Sequence, residues 1–178
     1  MTNTSANTVT LLNYTGTQTI TTNAVTLDNN VTFGQRNTLT GASGNGTTVT
    51  LTYSATVQYF YPVGSIINIS GVTPATYNGT YTVTATTLTS VSFASTVTDT
   101  YVSGGSIAAG TTVQLQDAMT VGSTRTTSLT SGTLNLNNFN YTTGLFTTNV
   151  TCVRGITTGT GSIYATGNNA TVVNLNTN

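Results

Sequence analysis

Val25-Thr26-Leu27-Asp28-Asn29-Asn30-Val31-Thr32-Phe33-Gly34 returns 88 positions later as Val113-Gln114-Leu115-Gln116-Asp117-Ala118-Met119-Thr120-Val121-Gly122. In each copy two short apolar/polar alternations flank a polar connection, Asp28–Asn30 or Gln116–Ala118, and a glycine follows the second. Alternation at period two describes a strand with one buried face, and the glycine ends it. Both copies lead to an arginine, Arg36 or Arg125, and on to a Leu39–Gly41 or Leu129–Gly132 close. The two flanks therefore read as related units with a separate module between them. At this length and copy number the unit does not read as a stacked array, which needs three or more repeats.

The middle segment is a candidate β-module. Val49, Leu51 and Tyr53 alternate with Thr50 and Thr52, and Ile67 and Ile69 follow a turn at Pro62–Gly64. Tyr81, Val83 and Ala85 alternate with threonines, and Val91 and Phe93 continue the pattern. The Asn78-Gly79 pair predicts a hairpin turn, because both residues tolerate positive φ. Beyond Gly110, short strand candidates recur around Leu134, Tyr141, Leu145, Val150–Val153, Ser162 and Val172. Strands at roughly 8–12-residue spacing suit antiparallel sandwiches and jelly rolls as well as β-solenoid rungs. The expectation is an all-β chain, an antiparallel β-sandwich or jelly-roll-like fold with an inserted small β-module, with a short β-solenoid as the alternative. The expected division is a 1–45 N-terminal segment packing with 110–178, and a compact 46–109 module that is Ig-like or a small barrel.

Composition supports strands. About a quarter of the residues are threonine, whose branched side chain is stiff at χ1 and packs well on a pleated surface. The only charged side chains are Arg36, Arg125, Arg154, Asp28, Asp99 and Asp117, with a net charge of zero. Three scattered arginines do not make the phosphate-facing patch that nucleic-acid binding needs. Near-neutral surfaces also favour association, which points to a homo-oligomer or a subunit of a larger assembly. Met1–Gly16 has no basic or apolar leader pattern, and the apolar stretch Val63–Ile69 is too short to span a bilayer. No membrane partner is expected. Cys152 is the single cysteine and reads as a small core hydrophobe.

The same scarcity removes most chemistry. Nucleophilic catalysis needs a base beside the Ser, Thr or Cys, usually His or a perturbed Lys, and the chain has neither. Paired-carboxylate hydrolysis would have to draw on Asp28, Asp99 and Asp117, with Asp28 and Asp117 converging through the repeat. Turn aspartates bonded to their own backbone are the better reading. Calcium would take oxygens from Asp28-Asn29-Asn30 or from Asn135, Asn137 and Asn138, but a single carboxylate gives weak affinity. No enzyme, metal or cofactor is expected. Tyr53, Tyr59, Phe60 and Tyr61 offer aromatic faces for a host-surface glycan, although partial core closure and partial contact with a neighbouring subunit is the preferred reading.

The stretch Pro62–Thr84, with the pattern GxxPxxYNGxYxV at Gly71, Pro74, Tyr77, Asn78, Gly79, Tyr81 and Val83, resembles a module of tailed-bacteriophage structural proteins. Ser131–Phe139, Gly144-Leu145-Phe146 and Gly167–Val172 similarly resemble segments of cyanophage and environmental phage virion proteins. Together these are spread over a span, Pro62 to Val172, of about two thirds of the chain. The resemblance implies a non-enzymatic virion protein, assembled in the host cytoplasm and released by lysis, whose partners are capsid or tail subunits. A capsid decoration or cement subunit leads; a receptor-binding or tail-fibre module and an extracellular filament subunit follow. Tyr59, Phe60, Tyr61, Arg36, Arg125 and Arg154 are the expected interface residues, the arginines as bidentate donors.

Overall fold

The computed structural model describes residues 8–11, 16–34, 36–54, 61–110, 112–148, 154–169 and 171–174. Four strands come first: β1 (Thr8–Leu11), β2 (Thr17–Ile20), β3 (Thr26–Leu27) and β4 (Asn30–Phe33). Six follow in the middle: β5 (Arg36–Gly44), β6 (Thr48–Tyr53), β7 (Ile66–Thr73), β8 (Gly79–Thr86), β9 (Ser90–Ala94) and β10 (Ser103–Ala109), with one 3-10 turn at Ala75–Tyr77. The rest are β11 (Thr112–Leu115), β12 (Met119–Val121), β13 (Thr126–Leu129), β14 (Gly132–Asn135), β15 (Tyr141–Thr143), β16 (Leu145–Thr147), β17 (Arg154–Thr157), β18 (Ile163–Ala165) and β19 (Val173–Asn174). The chain is all-β, and no α-helix occurs among the described residues.

The middle strands close a six-stranded barrel in the order β10-β5-β6-β9-β8-β7, with every pairing antiparallel. Closure removes the open edges that a small antiparallel sheet would otherwise present. The predicted alternations are the inward rows: Val49, Leu51 and Tyr53, Ile67 and Ile69, and Val91 and Phe93 are all buried. Each such side chain contributes roughly 1.5–3 kcal/mol on leaving water. The barrel takes in Arg36–Gly44, upstream of position 46. Gly41 and Gly44 resemble turn residues in sequence but lie within β5, with a register shift between Leu39 and Gly41. A Cβ on Gly44 would stand 2.1 Å from the Val97 carbonyl oxygen, so close backbone approach and not a turn requires glycine there.

The flanking strands form three sheets, and every pairing within them is parallel. The first sheet runs β1-β4-β13-β16-β19, the second β17-β14-β11-β2 and the third β18-β15-β12-β3. Along the chain, successive strands visit the first, second and third sheets in strict rotation. The rotation stops after β4 on the first sheet, and β11 resumes it on the second. Partners commonly lie 21 or 22 residues apart, as in Thr8 with Asn30, Thr112 with Thr133, Met119 with Tyr141 and Gly132 with Arg154. Across the barrel Thr17 pairs with Thr112, a separation of 95. Taking 22 from 95 leaves 73, close to the 74 residues from Arg36 to Ala109. The barrel is thus inserted in a single turn of the rotation, and its first and last strands lie side by side with Arg36 opposite Ala108.

An antiparallel sandwich or jelly roll in the flanks is therefore not what the pairing describes. Parallel sheets are usually covered on both faces and read as continuous apolar runs. Here each sheet covers only its inner face. Val31, Phe33, Val113, Leu115, Met119, Val121, Leu129, Leu134, Tyr141 and Phe146, drawn from all three sheets, share one buried cluster. The outward residues are mainly threonine and other polar types, so the alternation imitates an antiparallel strand. The 88-residue repeat is also corrected in phase: Thr26 and Leu27 pair with Thr120 and Val121, and Val31 pairs with Thr127. The apparent copies match each strand to the one before its true partner, because every short strand and corner carries the same pattern.

Candidate functional site

The corners between sheets hold most of the polar chemistry of the flanks. Asp117, between β11 and β12, accepts hydrogen bonds from the Thr22 amide at 2.9 and 3.0 Å and from the Asn23 amide at 2.6 Å. Asn23 and Ala24 both have positive φ, 51° and 61°, and successive amides in such a turn make an anion-binding concavity. The Thr22 amide foremost, with the Asn23 amide and the Thr22 hydroxyl, holds the Asp117 carboxyl below the usual carboxylate value. Asp28, between β3 and β4, accepts from Arg125 Nε at 2.9 Å, and that hydrogen bond is the main cause of its lowered pKa. The two carboxylates occupy different corners, and the preferred reading of turn aspartates bonded to their own backbone is corrected: Asp117 holds the backbone of a corner 95 residues away and Asp28 pairs with Arg125.

Asparagines link the turns in the same way. Asn30 Oδ1 accepts from the Thr126 amide at 2.9 Å, Asn138 Oδ1 from the Thr160 amide at 3.0 Å and Asn140 Oδ1 from the Ser162 amide at 3.2 Å. Asn137 donates its Nδ2 to the Leu115 carbonyl at 3.1 Å, and Asn135 Oδ1 accepts from the Asn137 amide. Three of these links span 22 residues and the Asn30 link spans 96, which is one turn plus the barrel. The oxygens considered for calcium at Asn30, Asn135 and Asn138 thus accept backbone amides. Among the described residues no three His, Cys, Asp or Glu side chains gather as a metal site.

Inside the flanking core, Thr127 hydroxyl lies 2.7 Å from the Tyr141 hydroxyl and 2.8 Å from that of Thr143. The Tyr141 ring meets Phe33 and Phe146 edge-on at 5.9 and 6.4 Å. Burial pushes the Tyr141 phenol well above its ordinary pKa, which keeps it neutral.

The GxxPxxYNGxYxV stretch forms one end of the barrel. Tyr77 is fully buried and donates its hydroxyl to the Asp99 carbonyl. Asn78 has extended backbone, φ −73° and ψ 142°, so the predicted Asn-Gly hairpin turn is not formed. Its side chain acts as a strand partner instead, with Oδ1 accepting from the Val72 amide at 2.9 Å and Nδ2 donating to the Val72 carbonyl at 3.3 Å. Tyr81 stacks on Phe93 with ring centroids 4.0 Å apart. These residues build the barrel rather than a ligand site.

Of the expected interface residues, Tyr61 and the three arginines fall within the described residues. Tyr61 is 1% exposed, donates its hydroxyl to the Ile107 carbonyl at 2.9 Å and meets Tyr53 edge-on at 5.8 Å. It belongs to the barrel core and has no face for a neighbour or a glycan. Tyr59, Phe60 and Cys152 lie outside the described residues. Arg36 opens β5, Arg125 precedes β13 and Arg154 opens β17, on three separate elements. Arg125 is engaged by Asp28, and Arg36 and Arg154 also take part in interactions within the fold. Shallow depressions occur among the described residues. One of about 340 Å³ is lined by Gly41–Gly44 and Thr98–Tyr101 on the barrel, and one of about 250 Å³ by Ser123, Thr124, Thr166, Asn168 and Asn169.

No protein-family model, no curated protein and no solved structure matches this chain.

Proposed function

We propose that this chain is a non-enzymatic structural subunit of a bacteriophage virion, a decoration or cement subunit on the capsid or another exterior surface. In this reading the three parallel sheets are the faces of a short β-solenoid, and the barrel is a knob carried at one corner. The observation that carries it is the use of polar side chains: Asp28, Asp117, Asn30, Asn138 and Asn140 are engaged in links between neighbouring turns. Such links make a stiff, nearly neutral body with little acid/base chemistry to offer. The sequence resemblance to phage structural modules supplies the virion context.

A receptor-binding or tail-fibre module is the second reading, favoured by the depression beside Asp99 and Tyr101, where a carboxylate and an aromatic ring border one surface. Labelling purified particles with an antibody to the barrel tests both. Regular labelling of the shell supports the first reading and labelling confined to the tail supports the second. Absence from every particle, or turnover of a polysaccharide that Asp28→Asn or Asp117→Asn abolishes, overturns the structural assignment.

A further inference from the structure

The last described strands leave the flanking core open. Ile156 on β17 is in register with Leu134, Ile163 on β18 with Tyr141, and Val173 on β19 with Phe146. Those three partners are at most 1% exposed, whereas Ile156 is 37% and Val173 46% exposed, and Ile163 is only partly covered. The same inward rows that bury a side chain in the preceding turn leave it open in this one. The first strands match this from the other side. Leu11 on β1, Ile20 on β2 and Leu27 on β3 stand in register with the buried Phe33, Leu115 and Val121, and each is itself only partly buried.

Each end therefore presents one half-covered aliphatic side chain and one edge strand from each of the three sheets. Edges of this kind are normally protected by charge, proline or a polar capping repeat. Among the six edge strands Arg154 is the only charged residue, and none contains proline. The two ends are also complementary in kind. Every pairing in the stack is parallel and the strands visit the sheets in fixed rotation, so three strands that continue from β19 fall in turn on β17, β18 and β19, the order in which β1, β2 and β3 follow one another.

We infer that this chain stacks head-to-tail on a second copy of itself. The first turn of one copy, rotated by one sheet, extends the last turn of the other, with β1 beside β17, β2 beside β18 and β3 beside β19. Leu11, Ile20 and Leu27 of one copy cover Ile156, Ile163 and Val173 of the next. A contact between two different surfaces, repeated by rotation and translation along the stack axis, does not close on itself and builds rows or filaments rather than a symmetric dimer. This rests on the solenoid reading of the three sheets and is independent of where on a particle the protein sits.

Sedimentation equilibrium of the 178-residue chain and of two end-blocked variants tests it. Ile20→Asp blocks the first turn and Ile156→Asp the last, with Leu11→Asp and Val173→Asp as second choices if either fails to give the parent circular dichroism spectrum. The average mass of the parent chain should rise with concentration beyond a dimer. Each variant alone should remain monomeric, and an equimolar mixture should double in mass and stop, because the two open ends meet and both outer ends are blocked. A parent chain that is monomeric throughout, a variant that assembles like the parent, or a mixture that stays monomeric would overturn the proposal. Particle labelling can fail while this assembly persists, and the reverse, so the two readings are judged separately.

Discussion

The barrel and the parallel flanks solve the same problem with the same residue types in opposite ways. In the barrel, six antiparallel strands close on one another, and buried aromatic groups such as Tyr53, Tyr61, Tyr77 and Phe93 fill the interior. In the flanks, strands of two to four residues never pair with their sequence neighbours, and their pairing partners commonly come 21 or 22 residues later. The barrel is self-contained, with its own buried cluster, and the flanks depend on parallel pairing between strands distant in sequence. Both regions bury aromatic rings, and the flanks add corner side chains that link strands distant in sequence. A closed barrel has no exposed edge to hold in register, whereas short parallel strands need links between turns.

Truncating one ring in each core should separate the two regions most strongly. Phe93→Ala should cost the barrel about 3–5 kcal/mol, and Phe146→Ala the flanks a similar amount. Hydrogen exchange read by peptide should show lost protection confined to 36–109 in the first case and to the parallel strands in the second. Equal loss in both regions would merge them into one cooperative unit. Thr127→Val removes the hydroxyl between Tyr141 and Thr143 and leaves buried polar groups without that partner, a cost of about 1–3 kcal/mol to the flanks alone. Asn78→Ala removes both bonds to Val72, and roughly 1–2 kcal/mol should be lost from the barrel alone by thermal unfolding.

Acidification should produce the smallest effect, and in the flanks. The lowered carboxyls of Asp28 and Asp117 favour the folded state fully above the ordinary value of 3.8. That contribution disappears as pH falls through their lower folded values, so protection at the Thr22–Asn23 corner should fall below pH 3.8 and not above it. Asp117→Asn should remove most of this pH dependence. An unchanged pH profile in the variant would show that the corner carboxylate does not hold the turn.

The all-β class and the barrel's inward rows were legible because alternation at period two marks a half-buried strand whatever its partner. Val49–Tyr53 reads the same way in sequence and structure, whereas in Tyr81–Ala85 only Val83 is buried, Tyr81 is half-buried and Ala85 is exposed at the register shift, so the predicted alternation ends there. The direction of pairing was not legible, since Val31-Thr32-Phe33 looks alike in a parallel and an antiparallel sheet when only one face is covered. The 22-residue turn was hidden by the inserted barrel, which moves β11 to 95 residues from β2. A signal was nevertheless present in the corner residues: Asn138 and Asn140 meet Thr160 and Ser162 at a constant spacing of 22. Tyr61 was misplaced for a different reason. Adjacent aromatics at Tyr59–Tyr61 do not declare which ring turns inward, and Tyr61 is fixed by the distant Ile107 carbonyl.

The central claim is that the barrel is an insertion into an otherwise continuous rotation of strands. Arg36 lies opposite Ala108, so the chain enters and leaves the barrel on paired strands and a short linker can bridge the gap. The direct measurement is hydrogen exchange on a chain in which residues 36–109 are replaced by a short Gly/Ser linker. The account predicts that β2–β4 and β11–β16 keep the protection they have in the full chain. Loss of protection throughout those strands would contradict it, and would mean that the barrel is a structural part of the stack.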